Sequence, residues 1–140
     1  MADPYDLERF VIAQQGIYPA ALAELKAGRK TTHWMWFVFP QLRGLGRSAT
    51  ALQYGIASLA EARAYLDHPL LGARLHEAVG ALVTVRGSAE AILGIVDAMK
   101  LRSMLTLFAV AASDPAPFDA ALERFFGGDR DPATIAILEA

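Results

Sequence analysis

Over residues 98–112, Leu101, Met104, Leu105, Phe108 and Ala112 recur at the three- and four-residue intervals of one helix face, and no other feature constrains the fold as strongly. So complete an apolar stripe must be covered by other elements, which predicts a central, deeply buried helix. The same interval recurs elsewhere. Leu7, Phe10, Val11 and Gln14 share a face that Gly16 ends, and a second helix is expected over residues 19–27, with Pro19 in its first turn and Gly28 beyond its end. Ser48 is placed to cap a helix over 49–54, while Ser58 and Glu61 form a capping box for one reaching about Asp67. Leu71, Leu75, Val79 and Leu82 mark a long helix within 69–85, and Ser88 caps another over 89–96. Asp114-Pro115 and Asp131-Pro132 each join an N-cap residue to a first-turn proline. Strand signals are scarce. The expected architecture is all-α, a single domain over residues 1–140 with roughly seven to nine helices.

With 54% apolar and 20% charged residues, the chain has the apolar surface a disordered polymer lacks. Its 13 basic residues against 15 acidic ones leave a formal charge of −2, which provides no footprint for nucleic acid or an anionic membrane. Cysteine is absent, excluding disulfides, thiol nucleophiles and thiolate metal sites together. The longest strongly apolar stretch, 104–112, is too short to span a bilayer, and Asp3, Asp6 and Glu8 stand where a signal peptide would be basic. These features predict a cytoplasmic protein with no nucleic-acid or membrane partner. Homo-oligomerisation stays open.

Three segments carry residues capable of chemistry. In the run from Thr31 to Gln41, Trp34, Trp36, Phe37 and Phe39 suit either the wall of a pocket or a short core-plugging helix that Pro40 ends. His33 sits at the polar edge of that run, where an accessible imidazole serves as acid, base or hydrogen-bond donor. Next, Gly44, Gly46, Arg47 and Ser48 combine flexible backbone, a guanidinium and a helix start, the ingredients of an anion seat. The same residues also suit a plain turn, since no strand precedes them and no Gly-Lys-Ser/Thr follows. Finally, Asp97, Lys100, Ser103 and Thr106 form a slanting polar ridge on the central helix. Such a ridge lines a site or serves as an ordinary surface pair, with hydroxyls bonded back to their own helix. His68 and His76 are eight residues apart and make no His-Glu-x-x-His pattern, so no metal site is expected.

The segments Arg9-Phe10-Val11-Ile12-Ala13-Gln14, His33-Trp34-Met35-Trp36-Phe37, Phe39-Pro40-Gln41, Gly44-Leu45-Gly46-Arg47-Ser48 and His68-Pro69 resemble the bacterial DUF1810 family over nearly the whole chain. That resemblance implies a mainly helical fold and no assigned activity. A looser similarity, through residues 10–14 and through Gly28-Arg29 followed by Trp34, is to NADAR-type proteins, which act on ribosylated or ADP-ribose-related compounds.

The reading that results is a site for a small phosphorylated, nucleotide-like or ADP-ribose-related molecule, without metal or cofactor. Trp36, Gln41, Gly46, Arg47, Ser48 and Ser103 would bind it, bordering a single cleft. If bonds are broken, hydrolysis of a glycosidic or phosphate linkage is expected, with Asp97 as base or ion-stabilising group, His33 as acid and Lys100 as charge partner. The rival reading is a non-catalytic interaction module that docks a partner through the aromatic segment.

Overall fold

Residues 3–140 are described by a computed structural model, and among them the chain forms ten α-helices and no β-strand. In order they are α1 (Glu8–Gln14), α2 (Tyr18–Lys26), α3 (Met35–Val38), α4 (Ala49–Tyr54), α5 (Leu59–Asp67), α6 (Leu71–Thr84), α7 (Ala89–Leu93), α8 (Ile95–Ala111), α9 (Ala116–Phe126) and α10 (Pro132–Glu139). The all-α expectation is met. The count passes nine because the aromatic run folds into the single turn of α3.

Local signals account for most boundaries. The Ser48, Ser58 and Ser88 hydroxyls accept from the amides of Ala51, Glu61 and Ala91 at 3.1, 3.1 and 3.0 Å. The capping box at Ser58 closes on one side only, because Glu61 turns to the Ala57 amide and to Arg9 instead of the Ser58 amide. Before α6 the ring nitrogen Nδ1 of His68 accepts from the amides of Leu70 and Leu71, so an imidazole caps that helix. The break before the central helix falls earlier than periodicity suggested. Gly94 takes φ +89°, a conformation costly for residues with a Cβ, so α7 stops at Leu93 and α8 begins at Ile95 rather than near Ala98.

Helix α8 is the axis of the molecule, packed by α5, α7, α9 and α10, with α6 lying against α2, α5 and α9. Leu101, Met104, Leu105, Leu107 and Phe108 are completely buried along it. An aromatic chain crosses the core: Phe10 meets Tyr65 edge-on at 5.1 Å, Tyr65 meets Phe108 at 5.5 Å, and Phe108 stacks on Phe118 at 5.9 Å. Where α5 passes to α6, a Cβ on Gly72 would lie 2.0 Å from the Leu66 carbonyl oxygen, so only glycine permits that approach. No helix among the described residues is long and apolar enough to cross a membrane.

Replacing Leu105 or Phe108 by alanine is expected to cost about 2–5 kcal/mol of unfolding free energy in urea titrations. Gly72→Ala, whose clash is with backbone, should cost about 1–3 kcal/mol or more. Losses below about 0.5 kcal/mol at both α8 positions would show that the stripe is not the core.

Candidate functional site

The site begins with a carboxylate that is not itself in it. Glu24 on α2 accepts the Thr31 and Thr32 amides at 2.7 and 3.0 Å, the Thr32 hydroxyl, and the Trp34 indole N–H at 3.0 Å. Burial alone would raise the Glu24 pKa. The four donors, which stabilise only the ionised form, outweigh that effect and hold it at about 2. Glu24 thereby fixes the path of residues 31–34 and points the Trp34 ring into the core, where it is wholly buried against Phe39.

One turn of α3 then divides the aromatic residues. Met35 and Val38 face inward, whereas Trp36 and Phe37 are half-buried. Phe37 packs on Tyr54 at 5.5 Å, and its carbonyl accepts from the buried Gln14 amide at 2.7 Å. Trp36 faces α8, where the Lys100 ammonium lies 3.5 Å from the ring centroid. Asp97, in the first turn of α8, holds Lys100 at 3.6 Å through Oδ1 and Lys30 at 2.9 Å through Oδ2. Lys30 is itself anchored, its amide donating to the Ile92 carbonyl at 2.8 Å and its ammonium lying over Trp34. Lys100 is therefore oriented by a chain of contacts reaching back to α2.

Beside this pair lies a cavity of about 300 Å³, lined by Trp36, Gln41, Leu45, Gly46, Val96, Met99, Lys100, Ser103, Asp131 and Ala133. Ser103 shares its hydroxyl between the Met99 carbonyl at 3.2 Å and the Asp131 carboxylate at 3.0 Å. Asp131 caps α10 by accepting from the Thr134 amide and hydroxyl, and its own amide donates to Thr106 Oγ1 at 2.9 Å.

Five expected residues thus meet in one place: Trp36, Gln41, Gly46, Lys100 and Ser103. Asp97 stands behind Lys100 rather than in the lining. His33 is exposed and outside the cavity, because Glu24 binds the residues on either side of it and turns the chain inward at Trp34. Arg47 is also exposed and outside, and the Ser48 hydroxyl is committed to capping α4. The trio His33, Asp97 and Lys100 is not assembled around the cavity. Sequence reasoning missed Asp131 and Lys30. Asp131 carried only the signature of a helix cap, and Lys30 had no local signal linking it to Asp97. Among the described residues, no three His, Asp or Glu side chains are grouped to hold a metal ion.

Two other depressions carry less. One of about 450 Å³ is rimmed by Arg63, Asp67, His76 and Asp114, all exposed. The other, about 490 Å³, borders Arg9 and Glu61, which are already paired to each other at 2.7 Å.

The family model for proteins of unknown function designated DUF1810 matches residues 4–138. The chain belongs to the DUF1810 family. A solved relative, the conserved hypothetical protein Rv1873 from Mycobacterium tuberculosis, is 54% identical over 99% of this chain and 99% of its own, with a TM-score of 0.96. No curated protein matches the chain. Within this DUF1810 fold, the geometry around Trp36 is the main guide to chemistry.

Because the folded pKa of Glu24 lies below its ordinary value of 4.5, its stabilisation is complete above about pH 4.5 and is lost as pH falls toward 2. Glu24→Gln should cost about 1–3 kcal/mol near neutrality, and its deficit relative to wild type should shrink at about pH 3. Urea titrations at both pH values test this, and an unchanged deficit would refute it.

Proposed function

We propose that the cavity beside Trp36 binds a small anionic molecule bearing a ring, with Lys100 taking the charge and the indole flanking the ring. The observation that carries this reading is the Lys100 ammonium at 3.5 Å over Trp36, with Asp97 and Lys30 behind it. A cation already held in place loses little freedom when an anion arrives, which favours binding. The cavity volume of about 300 Å³ lies at the small end of ligand clefts and suits one ring with one substituent. Its lining of apolar surface with a few converging polar groups has the composition such clefts share. A phosphorylated, nucleotide-like ligand is one member of this class.

The arrangement supports binding over hydrolysis. Each Asp97 oxygen contacts a lysine, and His33 stands apart from the cavity, so the acid and base roles expected for them have no shared reacting centre. It also favours a ligand site over docking through the aromatic run, since Trp34, Met35, Val38 and Phe39 are buried and only Trp36 and Phe37 stay half-buried.

A thermal-shift screen with phosphosugars, nucleoside monophosphates, ADP-ribose and aryl carboxylates tests the proposal. A ligand at a hundred times its Kd should add about 2.7 kcal/mol of stability. That gain should vanish in Lys100→Gln and persist in Arg47→Ala, while each ligand-free variant stays within about 1 kcal/mol of wild type. Stabilisation that survives Lys100→Gln would place the ligand elsewhere.

A further inference from the structure

Resting on that reading, we infer that the Trp36 cavity selects a singly charged ligand with an apolar body, an aryl- or arylalkyl-carboxylate, and discriminates against polyphosphates.

Charge is the first argument. Lys100 is the one basic side chain in the described lining. Lys30 lies deeper, with its side chain 8% exposed, and is bonded to Asp97, which also offsets part of the field of Lys100. Arg47 stands outside. Asp131 adds an acidic side chain to the same lining. Its Oδ2 is occupied by Ser103 and Thr134, but the carboxylate remains a negative group in the lining that also holds Lys100. One anionic group finds a partner here, and a second or third meets repulsion.

The backbone points the same way. Polyphosphate sites gather several main-chain amides around the anion. Here the first turn of α4 is not part of the lining, which takes only Leu45 and Gly46 from that segment, and Gly46 packs so closely on α4 that a Cβ would lie 3.0 Å from that of Ala51. The glycine serves the packing of its turn and is not needed to admit a phosphate.

The rim is the third argument. Val96 and Met99 line the cavity while 65% and 69% exposed, and Ile95 beside them is 74% exposed. Large apolar side chains this open on adjoining positions of one helix turn are uncommon away from contact surfaces. Together with Leu45, they offer apolar cover to a ligand whose charged end has entered toward Lys100. A nucleotide would set its sugar and remaining phosphates against this rim. An arylalkyl chain would remove it from water.

Isothermal titration calorimetry on the full chain provides the test, with phenylbutyrate, phenylbutyramide, inorganic phosphate, AMP and ADP as probes. Phenylbutyrate should bind wild type about tenfold or more tightly than its uncharged amide. Lys100→Gln should abolish that difference. Met99→Gln, an exposed change that spares the fold, should weaken phenylbutyrate several-fold, and ADP should bind no better than inorganic phosphate. If AMP or ADP binds more tightly than phenylbutyrate and loses that affinity in Lys100→Gln, the ligand class is overturned while the anion site stands. If the amide equals the acid, or no probe binds in a Lys100-dependent way, both readings fail. Urea titration of each variant verifies that it is folded.

Discussion

Everything in this molecule is arranged around a helix that has almost no solvent side. Beyond its exposed N-terminal end, which reaches Met99, α8 is covered by α5, α7, α9 and α10, so a polar group on it must find a protein partner or be costly to bury. Ser103 and Thr106 meet that demand by bonding to Asp131 and to carbonyls of their own helix, and in doing so fasten α10 to the core. The cavity follows from the same constraint. Where α8 emerges from its cover, the ridge of Asp97, Lys100 and Ser103 passes from buried scaffold to open wall.

The shorter helices need a different kind of support. α1, α3 and α4 have seven, four and six residues, too few to be stable alone. Buried polar side chains tie them down. Arg9 donates to the carbonyls of Tyr5, Asp6, Gln53 and Gly55 and to Glu61, joining α1 to the turn between α4 and α5. Gln14 reaches Phe37 and Tyr65 while accepting from Arg74, so one amide links α1, α3, α5 and α6. Such networks are costly if left half-satisfied, and among the described residues no buried side-chain polar atom lacks a partner.

What was legible in the chain was whatever repeats at short range. The stripe through Leu101, Leu105 and Phe108 and the serine caps depend on neighbours within a turn, and the structure has them, with the Ser58 box closed on its hydroxyl side alone. Gly94 was misplaced as an interior residue because its φ, and not its composition, breaks the helix. His33 looked functional and Asp131 looked structural for the same reason: residue type suggests a role, but exposure and partners assign it. Lys30 with Asp97, or Glu24 with Trp34, are joined by packing that no interval announces. The candidate site was therefore half visible, its helical ridge and aromatic wall readable and its carboxylate neighbour hidden.

Trp34 and Trp36 stand two residues apart yet occupy opposite environments, one sealed in the core with its N–H on Glu24, the other under an ammonium at a cavity mouth. These are the two tryptophans of the chain. The protein thus carries its own paired optical probe: the emission of Trp34 follows the integrity of the interior, while that of Trp36 follows the charge and polarity at its face. A perturbation that alters one and not the other separates loosening of the fold from an event at the surface, with no label added.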